Sequence, residues 1–336
     1  MRITSSPILL AAVLACGSAH AAGPRVQEER FDTPRLQLAR LTLHEDGRAP
    51  VRYYLSKPAQ RAPLVLYIQG SGCLPPFSGL GTDNRSSTIY SWVQLAAQGR
   101  YAVMSVDKPY QPDAPPPEGK GVANGCGAAF NDHFSFNTWL ATLETALRHA
   151  LGRPEVDARR VLVIGLSEGA PMAAALARAM PAVTDVALVG ANGPSQLFDF
   201  AAGIHRADAS DDDKLERLQE LDAQYAAIAA DPRSTSKFMW GHTYLRWSSF
   251  FAHSTAAELA RSRARVYLVS GMRDEAVPIL STEALYAQLR TQGRDVTFRR
   301  IPDVGHGLVE EGLSMEETGQ RLQREYDAIM AWFERR

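Results

Sequence analysis

The sequence predicts an α/β fold: a mainly parallel, doubly wound sheet with a helical cap insert. Three observations carry this prediction. Short apolar, β-branched runs recur along the chain and alternate with stretches of helical periodicity. One of these runs, Arg160–Ile164, passes through Gly165-Leu166-Ser167-Glu168-Gly169 directly into an alanine-rich stretch of high helix propensity. Between Pro194 and Arg263 the rhythm stops, and no strand pattern is found there.

The N-terminus stands apart from this pattern. Arg2 precedes an apolar run, Pro7–Ala15, and Ala19-His20-Ala21 follows as an A-x-A cleavage site. Residues 1–21 therefore read as a secretory signal peptide, with the folded domain over 22–336 and a secreted or periplasmic destination. Val13-Leu14-Ala15-Cys16 also loosely resembles a bacterial lipobox, which would instead leave a lipid anchor on Cys16. No later stretch is long and apolar enough to cross a membrane. The remaining cysteines, Cys73 and Cys126, are expected to pair in an oxidising compartment; two buried thiols are the alternative. There is no C-x-x-C and no H-E-x-x-H, so a metal site is not expected. A net charge of −1 gives no pull toward nucleic acid. Oligomeric state is not legible.

The elements follow in order. Arg35–Leu43 and Val51–Ser56 alternate apolar and polar residues around Gly47, predicting an antiparallel pair at the sheet edge. Leu64–Ile68 is a buried strand entering Gln69-Gly70-Ser71-Gly72-Cys73. A polar loop over Pro75–Ser87 and a helix over Ile89–Gln98 come next. Tyr101–Val106 is a strand, and Lys108–Gly127 is too rich in proline and glycine for regular structure. Phe134–Leu151 is a helix, Val183–Val189 a strand. The insert, about 195–262, contains helical periodicity over Lys214–Ala230. It also holds an aromatic run from Phe238 to Phe251, in which Trp240, Tyr244 and Trp247 are candidates to line a substrate pocket. Packing of these rings onto the sheet is the plainer alternative. Strands over Arg265–Ser270 and Val296–Ile301 enclose a helix over Ser281–Gln292, and Glu316–Glu334 is the last helix.

The central motif suggests chemistry. A serine framed by glycines between strand and helix fits a nucleophile elbow, where a tight turn exposes the hydroxyl. A serine needs a base, and the base needs a carboxylate to hold its tautomer. Asp274 stands just past one later strand and His306 just past the next, in the order Ser167, Asp274, His306. Asp303 and Glu275 are the alternative acids. Backbone N–H groups of Glu168, after the serine, and of Ser71, in the loop after Leu64–Ile68, are the expected oxyanion donors.

Together these features resemble the α/β-hydrolase fold family, from about Arg35 to the C-terminus. Gly271-Met272-Arg273-Asp274-Glu275-Ala276-Val277-Pro278 and Gly305-His306-Gly307-Leu308 look most like its dienelactone hydrolase and prolyl-oligopeptidase-like branch. One departure is Gln69-Gly70, where many members carry His-Gly. The resemblance implies a serine hydrolase cleaving a small-molecule ester, thioester or amide through an acyl-enzyme, without a cofactor. A peptidase of the same branch, or a non-catalytic binding protein that has kept the scaffold, are the alternatives.

Overall fold

The computed structural model describes residues 25–31, 37–81, 86–87, 98–111, 125–310 and 312–335. The signal peptide, Cys16, Ala22 and nearly all of the Ile89–Gln98 helix lie outside the described residues, as do residues 112–124 of the Pro/Gly-rich stretch.

The described residues form a central nine-stranded sheet. Its strands are β1 Arg25–Arg30, β2 Leu38–His44, β3 Val51–Ser56, β4 Ala62–Ile68, β7 Ala102–Val106, β8 Val156–Leu166, β9 Asp185–Val189, β12 Arg265–Gly271 and β13 Val296–Ile301. Two-residue strands make two small separate pairs, β5 Phe77–Ser78 with β6 Ser86–Ser87, and β10 Phe238–Met239 with β11 His242–Thr243. The order across the large sheet is β1-β2-β3-β7-β4-β8-β9-β12-β13. Pairing is antiparallel from β1 to β7 and parallel from β7 to β13.

Alternate residues of the parallel strands feed two cores, because successive side chains leave opposite faces. Leu64, Leu66, Val161, Val163, Val186 and Leu188 pack on one face with Phe136, Trp139, Leu285 and Leu289. Those four come from α2 Phe136–Leu151 and α8 Ile279–Thr291. Val65, Tyr67, Leu162, Ile164, Ala187 and Val189 pack on the other face against Ile329, Met330 and Phe333 of α9 Met315–Glu334. Helices on both faces explain why the central strands are apolar throughout.

Three expectations need correction. The pair β2–β3 is antiparallel as expected, but it does not form the edge. That place belongs to β1, whose sequence Arg-Val-Gln-Glu-Glu-Arg shows no apolar alternation because most of it faces solvent. A charged, exposed edge strand resists pairing with other chains. The elbow strand begins at Val156, not Arg160, since Ala62 and Pro63 pair with Val156 and Asp157 before a register shift. The insert is helical, through α4 Gln196–Arg206, α5 Asp211–Ala230, α6 Tyr244–Phe251 and α7 Thr255–Ala260, yet it also holds the β10–β11 pair. Trp240 and Gly241 turn that pair with φ of 44° and 78°; a tryptophan there hides the usual turn signature. Finally, a short helix α1, Ala128–His133, precedes α2, whose Ser135 and Thr138 form a capping box.

Candidate functional site

The site is built at the carboxyl ends of the parallel strands. Strand β8 delivers Ser167 into a left-handed backbone conformation, φ 53°, before α3 Gly169–Ala179 begins. A non-glycine residue held there marks local strain, and strain of this kind clusters at functional sites. The flanking glycines make the turn feasible. A Cβ on Gly165 would lie 2.4 Å from the Gly169 carbonyl oxygen, and one on Gly169 would lie 2.4 Å from that of Ile68.

Strand β9 links the serine to the other candidates. Ser167 N–H donates to the Val189 carbonyl at 2.9 Å. The next residue, Gly190, lies so close to Asp274 and His306 that a Cβ would meet Asp274 Oδ2 at 3.2 Å and the ring at 3.4 Å. Asp274 is fully buried at the end of β12. Its Oδ1 accepts the N–H groups of Ala276 and Val277 at 3.0 and 2.8 Å, and its Oδ2 is 2.9 Å from His306 Nδ1. A guanidinium N–H of Arg206, from α4, donates to the Asp274 carbonyl. Asp303, the alternative acid, is exposed and pairs instead with Arg273 at 2.6 Å. Glu275 is likewise exposed and pairs with Arg206. The His306 side chain keeps 33% of its surface. The ring's Nδ1 bonds to Asp274, at 3.1 Å to Oδ1 and 2.9 Å to Oδ2.

Beside Ser167 also lies the loop after β4. A Cβ on Gly70 would stand 3.4 Å from Ser167 Cβ and 3.9 Å from its Oγ. Ser71 beside it is exposed. Gly72 leads into Cys73, which is joined to Cys126 in a disulfide with a Cα–Cα distance of 5.9 Å.

Beneath this loop is a charged cluster that the sequence did not announce. Lys108, just past β7, donates to Gly70 O at 2.7 Å, Gly72 O at 2.8 Å and Glu168 Oε1 at 2.7 Å. Its ammonium lies over the Trp139 and Phe134 rings, 4.4 and 5.1 Å from their centroids. Arg246, from α6, donates to Glu168 Oε2 and to Gln196, and stacks over Trp247 and Phe250. Side-chain exposures of Lys108, Glu168 and Arg246 are 0%, 1% and 3%. Burial alone would raise the Glu168 carboxyl; Arg246 and then Lys108 outweigh it and hold it at about 2. Burial draws the Lys108 ammonium below its ordinary range, against the pull of Glu168. Nearby His242 is pushed down to about 4 by burial first and Arg246 second. The sequence signals were faint: a charge inside G-x-S-x-G, and an arginine inside an aromatic run.

The pocket candidates sit within the insert. Tyr244 and Trp247 are buried in its own small core with Ile228. Trp247 donates its indole N–H to Met239 O. Trp240 is half-buried, 4.6 Å from Phe200 and edge-on to Trp247 at 5.3 Å. Asp199, on α4, accepts from Ser281 Oγ at 2.5 Å. Burial pushes its carboxyl up to about 8, and the Asp274 charge acts the same way. Among the described residues, no group of three or more His, Cys, Asp or Glu could hold a metal ion, and no helix is long and apolar enough to cross a membrane.

A model of the alpha/beta hydrolase family matches residues 73–318. That is well over half of the chain, which belongs to this family. Solved structures agree on the fold. An acetyl xylan esterase from Paenibacillus sp. R4 aligns with a TM-score of 0.57 at 18% identity, covering 93% of this chain and 89% of its own. The acylaminoacyl peptidase of Pyrococcus horikoshii gives 0.57 at 14% identity over 94% of this chain, but only 42% of that longer protein is covered. Est1E from Butyrivibrio proteoclasticus gives 0.51 at 14% identity, with 87% and 99% covered. No curated protein matches the chain in sequence.

Proposed function

We propose that the protein is a secreted or periplasmic serine hydrolase that cleaves a carboxylic ester, with thioesters and amides as related substrates. The observation that carries the reading is the fully buried Asp274 carboxylate on His306 Nδ1, both packed against the strand end that anchors strained Ser167. In this reading Ser167 attacks the carbonyl. His306 takes the proton and later returns it to the leaving group. Asp274 fixes the ring and balances the imidazolium. The N–H groups of Ser71 and Glu168, the latter at the start of α3, receive the oxyanion. Water then releases the acyl group. The helices of residues 195–262 form a cap, with the half-buried Trp240 ring beside the acyl chain. The disulfide and the N-terminal apolar run support an oxidising compartment.

Labelling with a fluorophosphonate, followed by turnover of short and long acyl esters, tests the assignment. Wild type labels and turns over. Ser167→Ala loses the label and several orders of magnitude in kcat, with a residue left from oxyanion binding. An Ala variant that labels like wild type would move the nucleophile elsewhere. A wild type that neither labels nor turns over would favour a binding protein on the same scaffold.

A further inference from the structure

We infer that Lys108 is a positioning residue for catalysis: from beneath the loop after β4 it aims the Ser71 N–H at the oxyanion. The inference rests on the serine hydrolase reading and deepens it.

Peptide geometry supplies the argument. In a trans peptide the C=O of one residue and the N–H of the next point in opposite directions, and no cis peptide occurs among the described residues. The Gly70 carbonyl points inward, because the buried Lys108 Nζ donates to it at 2.7 Å. The Ser71 N–H of that same peptide must then point outward. A Cβ on Gly70 would lie 3.9 Å from Ser167 Oγ, so this peptide stands beside the serine hydroxyl, and Ser71 itself is exposed. The Gly72 carbonyl is held in the same way at 2.8 Å, which pins the loop at a second peptide.

The pin is a charge, and this adds an electronic effect to the geometric one. A cation on the C=O of a peptide polarises its N–H and makes it a stronger donor. The charge is kept in a dry place by Glu168, which follows the nucleophile in sequence. Glu168 in turn is held by Arg246 of α6. One carboxylate therefore ties the elbow, the oxyanion loop and the insert together. An apolar side chain at 108 could fill the same space, but it would leave two carbonyls unsatisfied and free to rotate.

The test compares wild type with Lys108→Met using p-nitrophenyl butyrate turnover, fluorophosphonate labelling rate and thermal melting. A lysine that aims the donor gives a folded variant with kcat lower by about 10²–10³-fold, the loss typical of one oxyanion donor. KM stays within about twofold and labelling slows in parallel, since the tetrahedral phosphonyl group needs the same donor. A lysine with only a structural part lowers the melting temperature and leaves kcat of the folded fraction unchanged, which overturns the inference. If Lys108→Met does not fold, a crystal structure of the wild-type phosphonylated adduct decides. The phosphonyl oxygen within about 3.1 Å of Ser71 N, with Nζ still on Gly70 O, upholds the inference; an oxygen bound elsewhere sinks it. A wild type that fails to label and to turn over removes the hydrolase reading and this inference with it. A labelled wild type with an unimpaired Lys108→Met removes the inference alone.

Discussion

Two charged clusters flank Ser167, and they are built in opposite ways. On one side, Asp274 is dry while its partner His306 keeps a third of its surface. On the other, Lys108, Glu168 and Arg246 are all dry. A group that must take up and give back a proton needs a wet side and room to move. A group that must hold a fixed charge gains from burial, because low polarity strengthens its bonds and shuts out competing water. The first cluster is suited to proton traffic and the second to geometry.

Breaking the first cluster has the largest expected effect. Asp274→Asn lowers kcat by about 10⁴-fold with the fold intact, as the imidazole loses its orienting charge. Asp303→Asn, on an exposed pair, changes kcat by less than about threefold. Steady-state kinetics on one ester decides between them, and the reverse ranking would transfer the acid to Asp303. The second cluster is broken through stability. Glu168→Gln leaves two buried cations facing each other and costs about 3–5 kcal/mol in denaturant unfolding. Glu283→Gln, in the surface pair with Arg300, costs less than about 1 kcal/mol. Equal losses would contradict the contrast between dry and wet pairs.

Asp199 sharpens the comparison, since it is a buried acid bonded to the Ser281 hydroxyl, with no cation beside it among the described residues. Its folded pKa is about 8 against 3.8 for the ordinary group. The folded state therefore holds a proton that the unfolded state has lost between about pH 4 and pH 8, and stability falls as pH rises through that window. Asp199→Asn should shrink the drop in Tm from pH 5 to pH 8 by at least about 2 °C. An unchanged drop would mean that the carboxyl is already ionised at pH 5. The smallest effect belongs to the insert. Trp240→Ala should change the ratio of activities on long and short acyl esters by a few-fold, through its apolar area. The same ratio with a lower Tm would make the ring packing only.

The sheet was legible because its central parallel strands carry apolar runs, with a glycine or aspartate at or just past the end of each. The candidates Ser167, Asp274 and His306 stood out in the sequence for a related reason: each stands within a few residues of a strand end. Strand β1 was not, since its solvent-facing residues obey no apolar period. The cluster around Glu168 was not, because its partners lie 60 and 78 residues away and neither bond leaves a local pattern. Lys108 looked like the first residue of an irregular loop. Only the folded chain brings it beneath Gly70.

The elbow glycines limit how this sequence can drift over time. Gly165 meets backbone of Gly169, and Gly169 meets backbone of Ile68, so neither clash can be relieved by a side chain turning aside. Losing the first glycine is blocked by the backbone of the second, and losing the second by the backbone of Ile68, the residue that pairs with the first across the sheet. Leu166 between them meets no such backbone limit; its side chain packs partly against the core. Lineages descending from this chain should therefore keep both glycines fixed, even where the hydroxyl of Ser167 has been lost and the chemistry with it.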